Sequence, residues 1–253
     1  MRNPTRRNRN IGTAKQGYGL KNKMTIPDPS YPDDYRMYYE RLSKYTKEYR
    51  IIDGHEFCFV VEELNKDSFH ACSVDDVAQM LQYIPSEDYG EMKLIIFRQS
   101  KKKEKILSSV WGRLIYSYEF EKEYHPAVIL ESVGINDKLK WERKMSVGAT
   151  SEFERLKADG YNFIEHKRFF EAEMPQHLVR ATQLYRTLPH EFGHYVHYLE
   201  IVERPTEEDE DIEEWERLRE IYHALPSVEK ESFAHNYADR LREKLLAKKQ
   251  IPF

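Results

Sequence analysis

Residues Leu178 to Leu199 read LVRATQLYRTLPHEFGHYVHYL, and the fold turns on this stretch. Leu178, Ala181, Leu184, Tyr185 and Leu188 recur at helical spacing, continued by Phe192, Tyr195, Val196 and Leu199. That is the period of a buried helix face. Pro189 interrupts the run. Lacking an N–H and clashing with the preceding turn, it must either kink one helix or sit near the start of a second.

Upstream the chain is rich in strands. Glu56–Glu62 (EFCFVVE), Lys93–Arg98 (KLIIFR), Ser109–Phe120, Ala127–Val133 and Tyr161–Phe170 are dense in Val, Ile, Phe and Tyr, and several alternate apolar with polar residues. Ser73 is a natural N-cap with Asp76 at the third helical position, opening a helix to about Tyr83 that Pro85 ends. Tyr31 to about Arg50 has a helical period. Downstream, Glu207–Glu216 is strongly acidic, and Ile212, Trp215, Leu218, Tyr222 and Leu225 form one apolar stripe, so the charge reads as the solvated face of an amphipathic helix. Pro226-Ser227 breaks the chain before a terminal helix from Val228 to about Lys248. Strands first and helices after predict an α+β fold, a small mixed sheet packed against helices.

Composition narrows the function classes. The chain has 253 residues, 40% hydrophobic and 33% charged, with aromatics at 13%; mean hydropathy is −0.80. This is a soluble globular composition. Lys+Arg 40 against Asp+Glu 44 leaves −4, so no global field draws the chain to nucleic acid. No apolar run approaches the roughly 20 residues of a membrane helix, and MRNPTRRNRN lacks the apolar stretch of a secretory signal. A cytoplasmic location without membrane contact is expected. Cys58 and Cys72 are too few for a disulfide scaffold and read as buried small hydrophobes. Residues 1–30 read as a disordered basic tail ending near Pro27, Pro29 and Pro32, residues 31–120 as an α/β portion with no assigned role, and residues 121–253 as the domain that carries the chemistry.

That chemistry centres on His190-Glu191-Phe192-Gly193-His194, an HExxH sequence inside a helical segment. Residues four apart stack on one helix face, so both imidazoles can reach one ion at about 2.0–2.1 Å. Glu191 projects differently and can serve as a base toward a water rather than as a ligand. The flanking residues are apolar, and buried unpaired imidazoles cost free energy that a metal recovers. On the terminal helix Glu231, Ala234, Ala238, Leu241 and Leu245 share one stripe. A carboxylate heading an apolar face is unusual unless paired. Small residues at 234 and 238 let this helix approach the first closely, so Glu231 can complete a His2Glu zinc site with water in the fourth position.

HEFGH followed downstream by Glu231-Ser-Phe-Ala-His-Asn-Tyr-Ala resembles the gluzincin metallopeptidases, most of all the catalytic domain of anthrax lethal factor and the small single-domain gluzincins. The resemblance covers roughly residues 176–245. It implies a zinc-dependent endopeptidase acting on a peptide or protein substrate, with His190, His194 and Glu231 as Zn2+ ligands and Glu191 as general base. The family's oxyanion-assisting tyrosine has no match; Ala224 occupies its offset, with Tyr222 and His223 nearby. Glu200 sits where a metzincin places its third ligand, but that pattern needs a glycine turn where this chain has His197. His235, one turn beyond Glu231, is placed to orient a ligand from outside. His55, His70, His125, His166 and His177 read as structural. Two alternatives stand beside this reading: a non-catalytic zinc-stabilised interaction protein, whose site would be closed by a fourth protein ligand, and a nucleic-acid binder using the basic tail.

Overall fold

Strand β1 (Tyr45–Ile52) turns into β2 (His55–Glu62) through Asp53-Gly54, whose φ values of 49° and 84° are both positive. A two-residue turn of this hand matches the twist of an antiparallel hairpin. The computed structural model describes residues 41–100, 111–206 and 212–253. The basic tail at 1–30 and the first part of the helix expected from Tyr31 lie outside them. From Tyr45 that helix is corrected to a strand: β1 pairs with β2 along its whole length, Tyr45 opposite Glu62 and Ile52 opposite His55. The Asp-Gly turn between alternating residues outweighs the helical spacing of the tyrosines.

After the short β3 (Ser68–Phe69), helix α1 (Val74–Leu81) starts as its sequence requires. Ser73 Oγ accepts from the Asp76 N–H at 3.1 Å, and Asp76 Oδ2 accepts from the Ser73 N–H at 2.9 Å, which satisfies two otherwise free donors. Strands β4 (Leu94–Arg98), β5 (Gly112–Phe120) and β6 (Glu123–Glu131) complete a mixed sheet in the order β1-β2-β4-β6-β5. β2, β4 and β6 run parallel, and the outer strands pair antiparallel. Phe57, Phe59, Ile95, Phe97, Val128 and Leu130 bury one face of the sheet against the helices. The 120/121 division expected from the sequence falls in the turn between β5 and β6, and the described residues from Ser43 onward form one compact unit.

Past β7 (Val133–Gly134), a second layer was only partly foreseen. β8 (Lys138–Glu142), β9 (Ile164–Glu165) and β10 (Phe169–Glu173) make a small antiparallel sheet ordered β8-β10-β9, with helix α2 (Val147–Ala158) between β8 and β9 in sequence. The single strand expected over Tyr161–Phe170 is therefore two, folded back so that Phe170 pairs with Glu165. α2 buries only Phe153 and Leu156, too few to print a helical period.

The helical third is α3 (Gln176–Thr182), α4 (Leu188–Tyr198), α5 (Ile212–Ala224) and α6 (Ser227–Ala247). A π turn at Gln183–Thr187 joins α3 to α4, so Pro189 stands in the first turn of α4, where its missing N–H is tolerated. Buried Gln183 ties this turn to the sheet, donating to Trp111 O at 3.0 Å and Glu131 O at 2.8 Å. The stripe on α5 is narrower than expected: Ile212 is 72% exposed, Trp215 and Leu218 are half-buried, and Tyr222 alone is fully buried. Residues 207–211 of the acidic run lie outside the described residues. Cys58 and Cys72 are buried and free. Among the described residues no helix is long and apolar enough to cross a membrane.

Candidate metal centre

Helices α4 and α6 cross where Gly193 meets Ala234. A Cβ on Gly193 would stand 2.8 Å from Ala234 Cα and 2.9 Å from its carbonyl oxygen. With no side chain on one helix and a fully buried methyl on the other, the backbones approach closely. His190 lies one turn before Gly193 and His194 directly after it, and one turn before Ala234 lies Glu231.

The side chains converge. His190 Nε2 and His194 Nε2 are 3.1 Å apart. Glu231 Oε2 is 3.4 Å from His190 Nε2, and Oε1 is 3.6 Å from His194 Nε2. Three donors around a tetrahedral ion with bonds of 2.0–2.1 Å stand about 3.3 Å from one another. The three spacings bracket that value, so the donor set fits zinc in both chemistry and size. The hydrogen bonding of His190 is concentrated on the cluster side, since its buried Nδ1 has no hydrogen-bond partner.

His235 sits at the fringe. Its ring packs 4.4 Å from that of His190, and its Nε2 is 4.0 Å from Glu231 Oε2. His190, Glu231 and His235 thus also bring donor atoms within 4.8 Å of one another. Glu231 lies nearer His194, at 3.6 Å, than His235, at 4.0 Å. The guanidinium of Arg155, on α2, lies against His235, with Nη1 3.1 Å from Nδ1 and 3.5 Å from Nε2. Asp239 Oδ2 accepts from Arg155 Nη2 at 3.3 Å.

Electrostatics suit a cation. Burial, then the neighbouring His190, pushes His194 down to about 4, and the same two causes push His235 to about 4. Both rings are neutral at pH 7 and keep a lone pair. The His190 hydrogen bond, with the charges of His194 and His190, holds Glu231 below the usual carboxylate range despite its partial burial. Glu191 is different. Part of its side chain is accessible, but protein atoms surround its carboxyl group, and this desolvation raises it to about 7 against the opposing His190 charge and a backbone hydrogen bond. That bond comes from the Leu114 N–H, donated to Glu191 Oε2 at 2.8 Å. Leu114 lies on β5, the edge of the sheet beside α4, and its N–H points away from β6.

The other sequence candidates lie elsewhere. His197 is buried in a parallel stack on Phe233, ring centroids 4.3 Å apart. Glu200 is exposed and faces Arg204 at 3.8 Å. Tyr222 turns into the core, its hydroxyl 2.7 Å from Tyr116 Oη and donating to His194 O at 3.2 Å. His223 packs edge-on to Tyr116. Two participants escaped the sequence reading. A backbone N–H such as that of Leu114 has no residue signature, and Arg155 lies on a helix whose period is too weak to find. Comparison with protein-family models, curated proteins and solved structures gives no match, so the chemistry of this centre rests on its own geometry.

Proposed function

We propose that the chain is a zinc-dependent endopeptidase of gluzincin type, with His190, His194 and Glu231 holding the ion and Glu191 as general base. The observation that carries the reading is the convergence of three donors at 3.1, 3.4 and 3.6 Å with a desolvated carboxyl group next in sequence to the first of them. Bound zinc would supply Lewis acidity toward a scissile carbonyl and toward water. Glu191, raised to about 7, is poised to exchange a proton near neutrality. It takes the proton of the attacking water as the water oxygen bonds the carbonyl carbon and the C=O electron pair moves onto oxygen. It returns the proton to the amine when the C–N bond breaks. The Leu114 N–H fixes one carboxylate oxygen and leaves the other free to accept a proton. Strand β5, at the sheet edge beside α4, is the natural rail for an extended peptide.

The rival reading, a closed structural zinc site, requires a fourth protein ligand, and His235 is the nearest candidate. Arg155 argues against it. Its guanidinium Nη1 lies 3.1 Å from Nδ1 and 3.5 Å from Nε2, setting a positive charge against the ring that opposes a cation bound there.

The test is zinc X-ray absorption on the loaded full chain, paired with cleavage of a mixed peptide library. Two imidazoles, one carboxylate and a water, with cleavage abolished in Glu191→Gln, are expected. A site of four protein ligands, or a Glu191→Gln variant as fast as wild type, overturns the proposal.

A further inference from the structure

The helix pair α4 and α6 has a second concave face. Along α6, Phe233, Asn236, Tyr237, Arg240 and Lys244 follow the helical period on the side opposite Glu231, Ala234 and Ala238. They wall a cleft of about 550 Å³. Its other side is made by Val196 of α4, by Glu200 in the π turn Leu199–Glu203, and by Asp88 of the short turn Ser86–Asp88. That volume is in the range of small-molecule sites. We propose that the cleft binds a small organic acid, its apolar body against Val196, Phe233 and Leu241 and its anionic head held by Arg240 and Lys244.

The apolar wall is preformed. Val196 and Leu241 belong to the core, and the half-buried Phe233 ring is held in a parallel stack on His197, centroids 4.3 Å apart. The charges then decide the sign of the ligand. Both acids of the cleft are already engaged. Asp88 Oδ1 accepts from Arg204 Nη2 at 2.9 Å, and its Oδ2 accepts from the Tyr237 hydroxyl at 2.9 Å. Glu200 Oε1 lies 3.8 Å from Arg204 Nη1. Arg240 and Lys244, by contrast, make no hydrogen bond or ion pair with any described residue. A cationic ligand would have to displace Arg204, whereas an anion meets two cations with no competing partner. Arg240 and Lys244 stand one turn apart, so their heads can close on one carboxylate, sulfonate or phosphate group. Asn236, one turn before Arg240, is exposed and adds an amide that can donate to the same group.

The experiment uses the full chain in the presence of a chelator, so its outcome is independent of the metal reading. The probe is anilinonaphthalene sulfonate, an apolar ring system with one anionic head, followed by its fluorescence. Its uncharged counterpart phenylnaphthylamine, inorganic phosphate and a short polyglutamate peptide are the comparisons. One sulfonate dye should bind per chain, with phenylnaphthylamine and phosphate each at least about tenfold weaker, since each keeps only half of the recognition. Arg240→Gln and Lys244→Gln together should weaken the sulfonate at least about tenfold and leave phenylnaphthylamine unchanged. Asn236→Trp should fill the cleft and weaken both dyes. These substitutions alter exposed side chains only and leave the core intact. Sulfonate affinity unchanged in the double variant or in Asn236→Trp would overturn the proposal. So would phenylnaphthylamine or phosphate binding as tightly as the sulfonate. Polyglutamate binding more tightly than the dye would overturn it in favour of an acidic protein partner.

Discussion

Gly193→Ala tests the crossing on which the centre depends. The added Cβ would meet Ala234 Cα at 2.8 Å, Ala234 O at 2.9 Å and Tyr237 Cβ at 3.1 Å. Two of the three are backbone atoms, so no flexible side chain can swing aside. Relief to an ordinary carbon contact requires α4 and α6 to part by about 0.6 Å, an overpacking that costs roughly 1–3 kcal/mol. Alanine in place of glycine inside a helix returns up to about 1 kcal/mol. The net loss is then about 0–2 kcal/mol, a fall in Tm of up to a few degrees for a unit of this size. Zinc binding should suffer as well, because Glu231 rides on α6 and both histidines on α4. A parting of that size stretches the 3.4 and 3.6 Å spacings toward 4 Å, wider than two bonds of about 2.0–2.1 Å span at a tetrahedral angle. Differential scanning calorimetry of the metal-free chain, with zinc affinity from competition against a chromophoric chelator, reads both effects. A Gly193→Ala chain that melts no lower than wild type and binds zinc equally well would refute this account of the crossing.

Glu231→Ala should lose zinc on dialysis against a weak chelator, whereas His197→Ala and Glu200→Ala should retain it; the reverse order in metal analysis would move the third ligand to α4. Metal-free Glu191→Gln should be more stable than wild type at pH 8 by about 1–3 kcal/mol and equal to it near pH 4. Folding raises the carboxyl to about 7, so the folded wild type holds a proton that the unfolded chain releases, and its stability falls as pH rises from roughly 4.5 through 7. Urea unfolding in the presence of a chelator checks the sign, and a difference constant with pH would contradict it. Trp215→Ala should cost about 1–2 kcal/mol, below the roughly 3–5 of a fully buried ring. The indole is half-buried, with Nε1 donating to Glu203 Oε1 at 3.2 Å and Arg219 over its face; a thermal melt measures the loss.

What could be read in advance follows from how far each physical signal travels along the chain. The spacing of His190 and His194 and the stripe Glu231, Ala234, Ala238 are local helical facts, so both halves of the centre were visible before their meeting was. Ala234 and Ala238 announced the close approach from one side; Gly193 completes it from the other, and its Cβ-free surface touches the backbone of Ala234. Over β1 the tyrosines stand at helical spacing, yet the Asp53-Gly54 turn decides the conformation. That turn needs positive φ at both positions and so fixes a hairpin whatever the flanking propensities. The stripe on α5 was overestimated for a related reason: periodicity says which residues share a face, not how much of that face is covered, and Ile212 lies beyond its cover.

Leu114 and Arg155 were out of reach for a different reason. Each acts on a residue nearly eighty positions away, through a backbone N–H in one case and a guanidinium on a weakly patterned helix in the other. Neither contact has a local period, a spacing or a cap to announce it. Yet these long-range contacts are the ones that set chemistry rather than fold. The histidine spacing alone fits a structural zinc site as well as a catalytic one. The Leu114 N–H aims a desolvated carboxyl group, and the Arg155 guanidinium sets a positive charge against the nearest fourth candidate, His235. What distinguishes an open site from a closed one therefore lies in two long-range contacts that the sequence does not announce.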